Sequence, residues 1–417
     1  MPGAAPRVPW PRWSACTGDE AGTVTGAALL ALAAWAGILF CRGRFWFADQ
    51  HLSPAAKTPP KGDWPDIAAV IPARDEADGI ARTVGSLFAQ NYPGRLDVVV
   101  VDDNSTDGTA ALARGAAETA GAASRFHLIT GKPLAEGWSG KLWAVHQGLE
   151  AARAAAPEAR YILLTDADIA HDPANLRRLV EKAEMENRDL VSLMVRLNCE
   201  TPWERLLIPA FVFFFQKLFP FPWVNDPTRR TAAAAGGCML VRRAALDAAG
   251  GIAAIRGRLI DDCALAALLK ARGSIWLGLS RETVSLRRYD GLGELWRMVA
   301  RTAYEQLGHS PVVLLGTVAG MVLMYMVPPV AALWGLAAGD WPMLAAGAGG
   351  WLAMAVAYFP TLRLYGRPPW GASMLPMAGF LYTLMTVDSA RRHHQGQGGG
   401  WKGRTYAGGS GAPDPRA

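Results

Sequence analysis

Cysteine is scarce in this 417-residue chain. Cys16, Cys41, Cys199, Cys238 and Cys263 are scattered, and no Cys-x-x-Cys pair occurs. That pattern offers neither a disulfide framework nor a zinc site, and it suits a reducing compartment. Charge is sparse as well, at 19% of residues, and no lysine- and arginine-rich run is interleaved with aromatics. A nucleic-acid partner is therefore not expected. No Gly-x-Gly-x-x-Gly follows the first strand, and no glycine loop ends in Lys-Ser/Thr. Those two absences argue against a dinucleotide-binding Rossmann domain and against a P-loop.

What the chain does have is grease and a basic surplus. It is 51% hydrophobic, holds 16 Trp and carries a formal net charge of +6. The mean hydropathy is +0.11. This is too apolar for an ordinary soluble enzyme and too charged for a pure channel. With nucleic acid set aside, the surplus points to anionic lipid or to a phosphate-bearing substrate.

The apolar runs lie at the two ends. Residues 1–22 are rich in Pro, Ala and Gly and are expected to be poorly ordered. Residues 23–41 are uncharged until Arg42 and Arg44, long enough to cross a bilayer. The basic residues follow the run, so the positive-inside rule puts the N-terminus outside and residue 42 onward in the cytoplasm. Residues 42–66 include a proline-rich stretch and read as a linker. Near the other end, residues 311–388 hold three apolar segments: Pro311 to Ala338 with a kink expected at Pro328-Pro329, Met343 to Leu362, and the shorter Gly371 to Val387. Three full crossings would leave the basic tail 389–417 outside. Either the last segment is re-entrant or the Pro-Pro segment is a shallow hairpin, because Arg391, Arg392, Lys402 and Arg404 belong in the cytoplasm.

Between the ends, residues 67–290 alternate short apolar runs with helical spacing. Ile67 to Ile71, Leu96 to Val101, Phe126 to Thr130 and Tyr161 to Thr165 read as strands. Ile80, Val84, Leu87 and Phe88 share one helical face. The alternation predicts an α/β fold with a doubly wound, mostly parallel sheet. Carboxylates cluster where these strands end: Asp75 after the first, Asp102 and Asp103 after the second, Asp166 and Asp168 after the fourth. A parallel sheet gathers such ends along one rim, where ligands bind. Like charges that close repel unless a cation lies between them, and a divalent metal carrying a diphosphate is a natural occupant.

The motifs Ile71-Pro-Ala-Arg-Asp-Glu76, Val101-Asp-Asp-Asn-Ser-Thr-Asp107, Gly140-Lys-Leu-Trp-Ala144 and Thr165-Asp-Ala-Asp168 follow one another in order. With Gly236-Gly-Cys-Met-Leu-Val-Arg-Arg243 and Ile260-Asp-Asp262 they resemble the family 2 glycosyltransferases of GT-A fold, over roughly residues 65–310. Including the end segments and Trp401 to Tyr406, the chain resembles most the hopanoid-biosynthesis branch of that family. The resemblance implies a nucleotide-sugar donor on Ala73, Asp75, Glu76, Asp103, Lys141, Asp166, Gly236 and Gly237. It implies Mg²⁺ or Mn²⁺ on Asp168 with Asp166, and a general base at Asp262 or Asp261, with Asp262 preferred. His171 has no partner at metal-ligand spacing and reads as a helix-start residue.

Processive relatives carry Gln-x-x-Arg-Trp after the base, and this chain does not. Transfer of a single sugar, with inversion, is therefore expected. Residues 291–310 read as an amphipathic interfacial helix, with Leu295, Trp296 and Val299 on one face and Arg297 and Arg301 beside it. The aromatic stretch 203–224, broken by Pro209, Pro220 and Pro222, reads as a re-entrant or interfacial segment receiving a lipid acceptor. The expected protein is thus a multi-pass enzyme of the inner membrane with a cytoplasmic catalytic domain. It would move one sugar, from a UDP-sugar, to a hopanoid hydroxyl. A polyprenyl phosphate acceptor, an inactive membrane scaffold and a nucleotidyltransferase are the alternatives.

Overall fold

The computed structural model describes residues 18–53, 63–396, 400–401 and 404–405. The disorder expected of residues 1–22 is not met at residues 18–22, which are helical; residues 1–17, the middle of the linker and most of the basic tail lie outside the described residues. Helix α1 is Gly18–Cys41. The central region then runs β1 Ile67–Ala73, α2 Ile80–Phe88, β2 Leu96–Asp102, α3 Thr109–Thr119, β3 Phe126–Thr130, α4 Gly140–Ala155 and β4 Tyr161–Thr165. After it come β5 Ile169–Ala170, α5 Asn175–Met185, β6 Leu190–Arg196, α6 Pro202–Leu218, α7 Phe221–Asn225, β7 Cys238–Arg242, α8 Arg243–Ala248, α9 Asp261–Lys270 and β8 Ile275–Ser285. The C-terminal helices are α10 Leu292–Ala300, α11 Ala303–Gln306, α12 Pro311–Met321, α13 Val327–Ala338, α14 Trp341–Leu364 and α15 Leu375–His394.

Among the described residues one sheet has eight strands in the order β3-β2-β1-β4-β7-β6-β8-β5. Pairs β3/β2, β2/β1 and β1/β4 are parallel, as expected. Strand β7 runs against both neighbours, and β5 runs against β8. The sheet is therefore mixed but still mostly parallel, since β6 and β8 also pair parallel: its first half is the doubly wound unit, and the antiparallel pairs lie in its second half. Strands β1 and β2 are buried along their whole length, which is why they read as unbroken apolar runs rather than alternating ones.

Successive residues of each strand feed opposite faces. Ile71, Val100, Leu163 and Leu193 pack under α2, α3 and α5 with Val84 and Leu179. Val70, Leu164 and Leu277 face the other way, toward Leu142 of α4, Phe213 of α6 and Leu265 of α9. That second core continues without a break into Tyr325, Tyr358, Leu362 and Tyr382 of the C-terminal helices. Helix α4 lies close on the sheet because position 148 is glycine; a Cβ there would stand 2.4 Å from Val70 Cγ1.

Three segments are long and apolar enough to cross a membrane: Gly22–Cys41, Pro311–Ala338 and Trp341–Leu364. The third segment expected from the C-terminal sequence, α15, is not among them; Asp388, Arg391 and Arg392 make its second half polar. Pro328-Pro329 does not break the Pro311–Ala338 segment into a hairpin. A wide π-type turn over Val322–Met326 precedes it, and the helix continues. Pro328 has no N–H to give the Met324 carbonyl four residues back, and Trp35 Nε1 of α1 donates to that carbonyl at 2.9 Å instead. Small residues let the helices close up: a Cβ on Gly347 would stand 2.4 Å from the Ala332 nitrogen.

Residues 203–224 form α6, which continues through Pro209 with its N-terminus fixed by a Thr201–Glu204 capping box, and most of α7 after a break at Phe219-Pro220. One further expectation is corrected: residues 291–310 are two helices, not one. The Tyr304 N–H donates to Ser389 Oγ of α15 at 3.0 Å, and the chain turns at Arg301-Thr302.

Candidate active site

The parallel half of the sheet does what the sequence implies. With Ala73 of β1 paired to Asp102 of β2 and β4 on the other side, Asp75, Asp103, Asp166 and Asp168 come to one rim. They divide into two ends.

At one end, the loops after β1 and β2 are tied to each other. Asp75 has a left-handed backbone, φ 50°. Its carboxylate accepts from the Thr106 N–H at 2.8 Å, and its own N–H donates to Ser105 Oγ at 3.0 Å. The Glu76 N–H donates to Thr109 Oγ1 at 2.8 Å. The Asp103 N–H donates to the Ala73 carbonyl at 2.8 Å, and Arg74 Nη1 lies 3.6 Å from Asp103 Oδ2. Asp75 thus clamps two loops, while Asp103 lies buried at the strand end beside a guanidinium.

At the other end, Lys141 is the hub. It stands in the first turn of α4, capped by Ser139. Its Nζ lies 2.9 Å from Asp166 Oδ1 and 3.3 Å from Asp261 Oδ2. Burial alone would lower its pKa, but the carboxylates of Asp166 and Asp261 outweigh burial and raise it. The lysine therefore stays charged. Asp262, next in α9, turns the other way. Its Oδ2 accepts from the Gly236 N–H at 3.0 Å and its Oδ1 from the Cys263 N–H at 2.7 Å. Burial and the neighbouring Asp261 push its pKa up to about 6, against the pull of Lys141. A Cβ on Gly236 would stand in ordinary contact, 3.4 Å from Lys141 Nζ and 3.5 Å from Asp262 Oδ2. Gly237 is held between Val195 and Ile169, each within 3.3 Å of where its Cβ would stand.

Asp168 lies between these ends. Ser285 Oγ donates to its Oδ2 at 3.3 Å, and the Leu286 N–H donates to its carbonyl at 2.7 Å. Burial first, then the charges of Asp166 and Glu76, push its pKa up to about 6. Asp168 and Asp166 offer hard oxygen donors of the kind a divalent cation takes. No group of three or more His, Cys, Asp or Glu that could hold a metal occurs among the described residues.

A cleft of about 390 Å³ opens from this point. Asp166, Asp168, Gly236, Gly237 and Asp262 line its floor; Phe211 and Phe215 of α6, with Met194 and Leu197, line an apolar flank; Arg287, Tyr289, Glu294, Arg297, Met298 and Arg301 line the rest. Asp261 is absent from this lining and faces a small void of about 20 Å³ with Lys141.

Residues 68–250 match the sequence model of the family Glycosyl transferase family 2. The matched stretch stops before Asp261 and Asp262. The succinoglycan biosynthesis protein ExoO of Rhizobium meliloti is 33% identical over 161 residues, which is 36% of this chain and 42% of ExoO. ExoU of the same organism is 45% identical over 56 residues, 13% of this chain and 16% of ExoU. The chain thus spans less than half the length of these relatives. In fold, the chain is similar to the mannosyltransferase PcManGT from Pyrobaculum calidifontis, solved with GDP-Man and Mn²⁺. The TM-score is 0.53 and the identity 19%, over 87% of this chain and 99% of that one. The chain is therefore GT-A-like in fold.

The sequence left parts of this cleft unseen. Ser285, Arg287 and Tyr289 reach Asp168 because β8 pairs antiparallel with β5, Ile169 opposite Ser285. No local motif announces such a pairing. His171 is not a helix-start residue: helix α5 begins at Asn175, and His171 is buried against Thr165.

Proposed function

We propose that the chain is a membrane-anchored, inverting glycosyltransferase that moves one sugar from a nucleotide donor to a lipid acceptor. The observation that carries this reading is the single cleft in which Asp168 and Asp262 face the same space, flanked by Phe211 and Phe215. In this reading Ala73, Asp75, Glu76 and Asp103 frame the nucleoside, and Lys141 balances the charge on Asp166 beside the diphosphate. Gly236 and Gly237 let the sugar approach the backbone. Asp168 with Asp166 would hold Mg²⁺ or Mn²⁺, which when bound offsets charge on the departing diphosphate. Asp262 takes the proton from the acceptor hydroxyl as that oxygen attacks the anomeric carbon, and the nucleoside diphosphate leaves from the opposite face. Its pKa of about 6 leaves it ionised, and thus a base, at neutral pH.

The apolar flank of α6 suits a lipid, and a hopanoid hydroxyl is the acceptor the family branch suggests. Arg287, Arg297 and Arg301 on the same cleft favour a second reading, a polyprenyl phosphate, whose charge they would meet. In this reading the protein lies in the inner membrane with its N-terminus outside, α15 does not cross, and the catalytic domain and basic tail are cytoplasmic; the three apolar segments support it.

Membranes holding the protein, given labelled UDP- or GDP-sugars with either hopanoid polyol or polyprenyl phosphate, should form one glycolipid. Chelation should stop it and Mn²⁺ or Mg²⁺ restore it. Asp168→Ala and Asp262→Asn should both lose product while folded; normal turnover in both would reject the site.

A further inference from the structure

A buried polar chain behind the cleft has no part in the mechanism above. Asn175 Nδ2 lies 3.1 Å from His171 Nδ1, and His171 Nε2 lies 3.0 Å from Thr165 Oγ1. Thr165 Oγ1 donates to the Gly237 carbonyl at 2.7 Å. The directions are fixed by chemistry. An amide nitrogen only donates, so His171 Nδ1 accepts; a neutral imidazole then carries its hydrogen on Nε2. That N–H donates to Thr165, whose own hydrogen is left for the Gly237 carbonyl. His171, Thr165 and Asn175 are all buried. Burial lowers the His171 pKa to about 4, which keeps the ring neutral and the chain of donors in one direction.

We propose that His171 and Thr165 are positioning residues, and that this relay fixes the Gly236-Gly237 turn against the Asp166–Asp168 loop. The relay extends a tie that the sheet begins: Thr165 stands opposite Cys238 at the end of the β4/β7 ladder, and the side chains carry the connection one residue further, to Gly237. Thr165 immediately precedes Asp166, and the same loop is pinned by Thr83 Oγ1 donating to the Ala167 carbonyl at 2.8 Å. Gly237 follows Gly236, whose N–H holds Asp262. The relay therefore holds the metal carboxylates and the base in register where the ladder ends. The His171 ring is itself anchored, since its backbone N–H donates to Ser86 Oγ at 3.0 Å.

The catalytic form of this proposal rests on the transferase reading. Thr165→Val and His171→Leu remove the donors at similar volume, whereas Thr165→Ser and His171→Gln keep a donor in place. The Val and Leu variants should lose about 10- to 100-fold in kcat, with donor KM changed less than about twofold. The Ser and Gln variants should recover to within about threefold of the parent. Asp262→Asn in the same panel separates the two ideas. If it is inactive while Thr165→Val turns over normally, the relay is wrong and the base stands; if Asp262→Asn is fully active, the base reading falls. A second readout needs no turnover: amide exchange in a peptide spanning Gly236–Gly237 should quicken about tenfold or more in Thr165→Val at unchanged melting temperature. Unchanged exchange, or equal loss of kcat, donor binding and melting temperature in Val and Ser variants alike, overturns the proposal.

Discussion

Asp262→Asn is the substitution on which the chemistry turns. The change keeps the shape of the side chain, so its cost to folding can be worked out first. In the parent, both carboxylate oxygens accept backbone N–H groups, from Gly236 and Cys263. Asparagine has one acceptor oxygen, so one of these N–H groups loses its partner, at about 1–3 kcal/mol. Against that, the parent carboxyl is held at about 6 rather than 3.8. A carboxyl raised on folding destabilises the native state once ionised, at about 1.4 kcal/mol per tenfold change in proton affinity, or about 3 kcal/mol above pH 6. The contribution from the neutral form is complete below pH 3.8 and is lost as pH rises through about 6. Asparagine is neutral at every pH, so the two effects nearly cancel and the variant should fold at pH 7.5. Its turnover should fall by about 10²–10⁴, the range for losing a general base, or about 3–5 kcal/mol of barrier. Donor affinity by calorimetry should hold. The parent's activity should rise with pH through about 6, where both Asp262 and Asp168 titrate, so the size of the loss rather than the pH profile decides the assignment. A folded variant with parental turnover would refute it.

Other outcomes follow from the same geometry. Lys141→Met removes the cation between Asp166 and Asp261, so the Asp262 pKa should rise further and the acid limb of activity should move to higher pH. Gly148→Ala places a methyl 2.4 Å from Val70 Cγ1; thermal melts should show a loss of about 1–3 kcal/mol. Trp35→Phe leaves the Met324 carbonyl without its donor and should cost about 0.6–2 kcal/mol in detergent unfolding. Arg301→Gln should raise acceptor KM with donor KM unchanged, and more for a phosphate acceptor than for a neutral hydroxyl.

The half of the sheet that the sequence made legible is the half buried on both faces. Ile67 to Ile71 and Leu96 to Val101 have no polar face to confuse the pattern, and their C-terminal ends carry the acidic residues. Strands β6, β7 and β8 were harder, because β7 inserts antiparallel between β4 and β6, and β8 pairs with β6 across a long stretch of chain, rather than following local alternation. The choice between Asp261 and Asp262 was open for a similar reason. Neighbours on a helix point about 100° apart, and only the placement of Lys141 and Gly236 decides which one faces the cleft. His171 looked unremarkable because its partners are Thr165 and Asn175, residues with no chemistry of their own. The amphipathic pattern of residues 291–310 was genuine, but the turn at Arg301-Thr302 depends on Ser389, nearly a hundred positions away.

Helix α6 belongs to two structures at once. Phe211 and Phe215 form a wall of the cleft, while Gln216 Nε2 donates to Thr361 Oγ1 of α14 at 3.4 Å and Tyr382 of α15 donates to the Leu207 carbonyl at 2.9 Å. An excised catalytic fragment ending near residue 290 would therefore strip one whole side of this helix, baring aromatic surface to water and leaving its other side to keep shape unaided. Biochemistry on this protein calls for the full chain in a lipid or detergent setting, and any shift of the C-terminal helices will be felt by the substrate pocket directly.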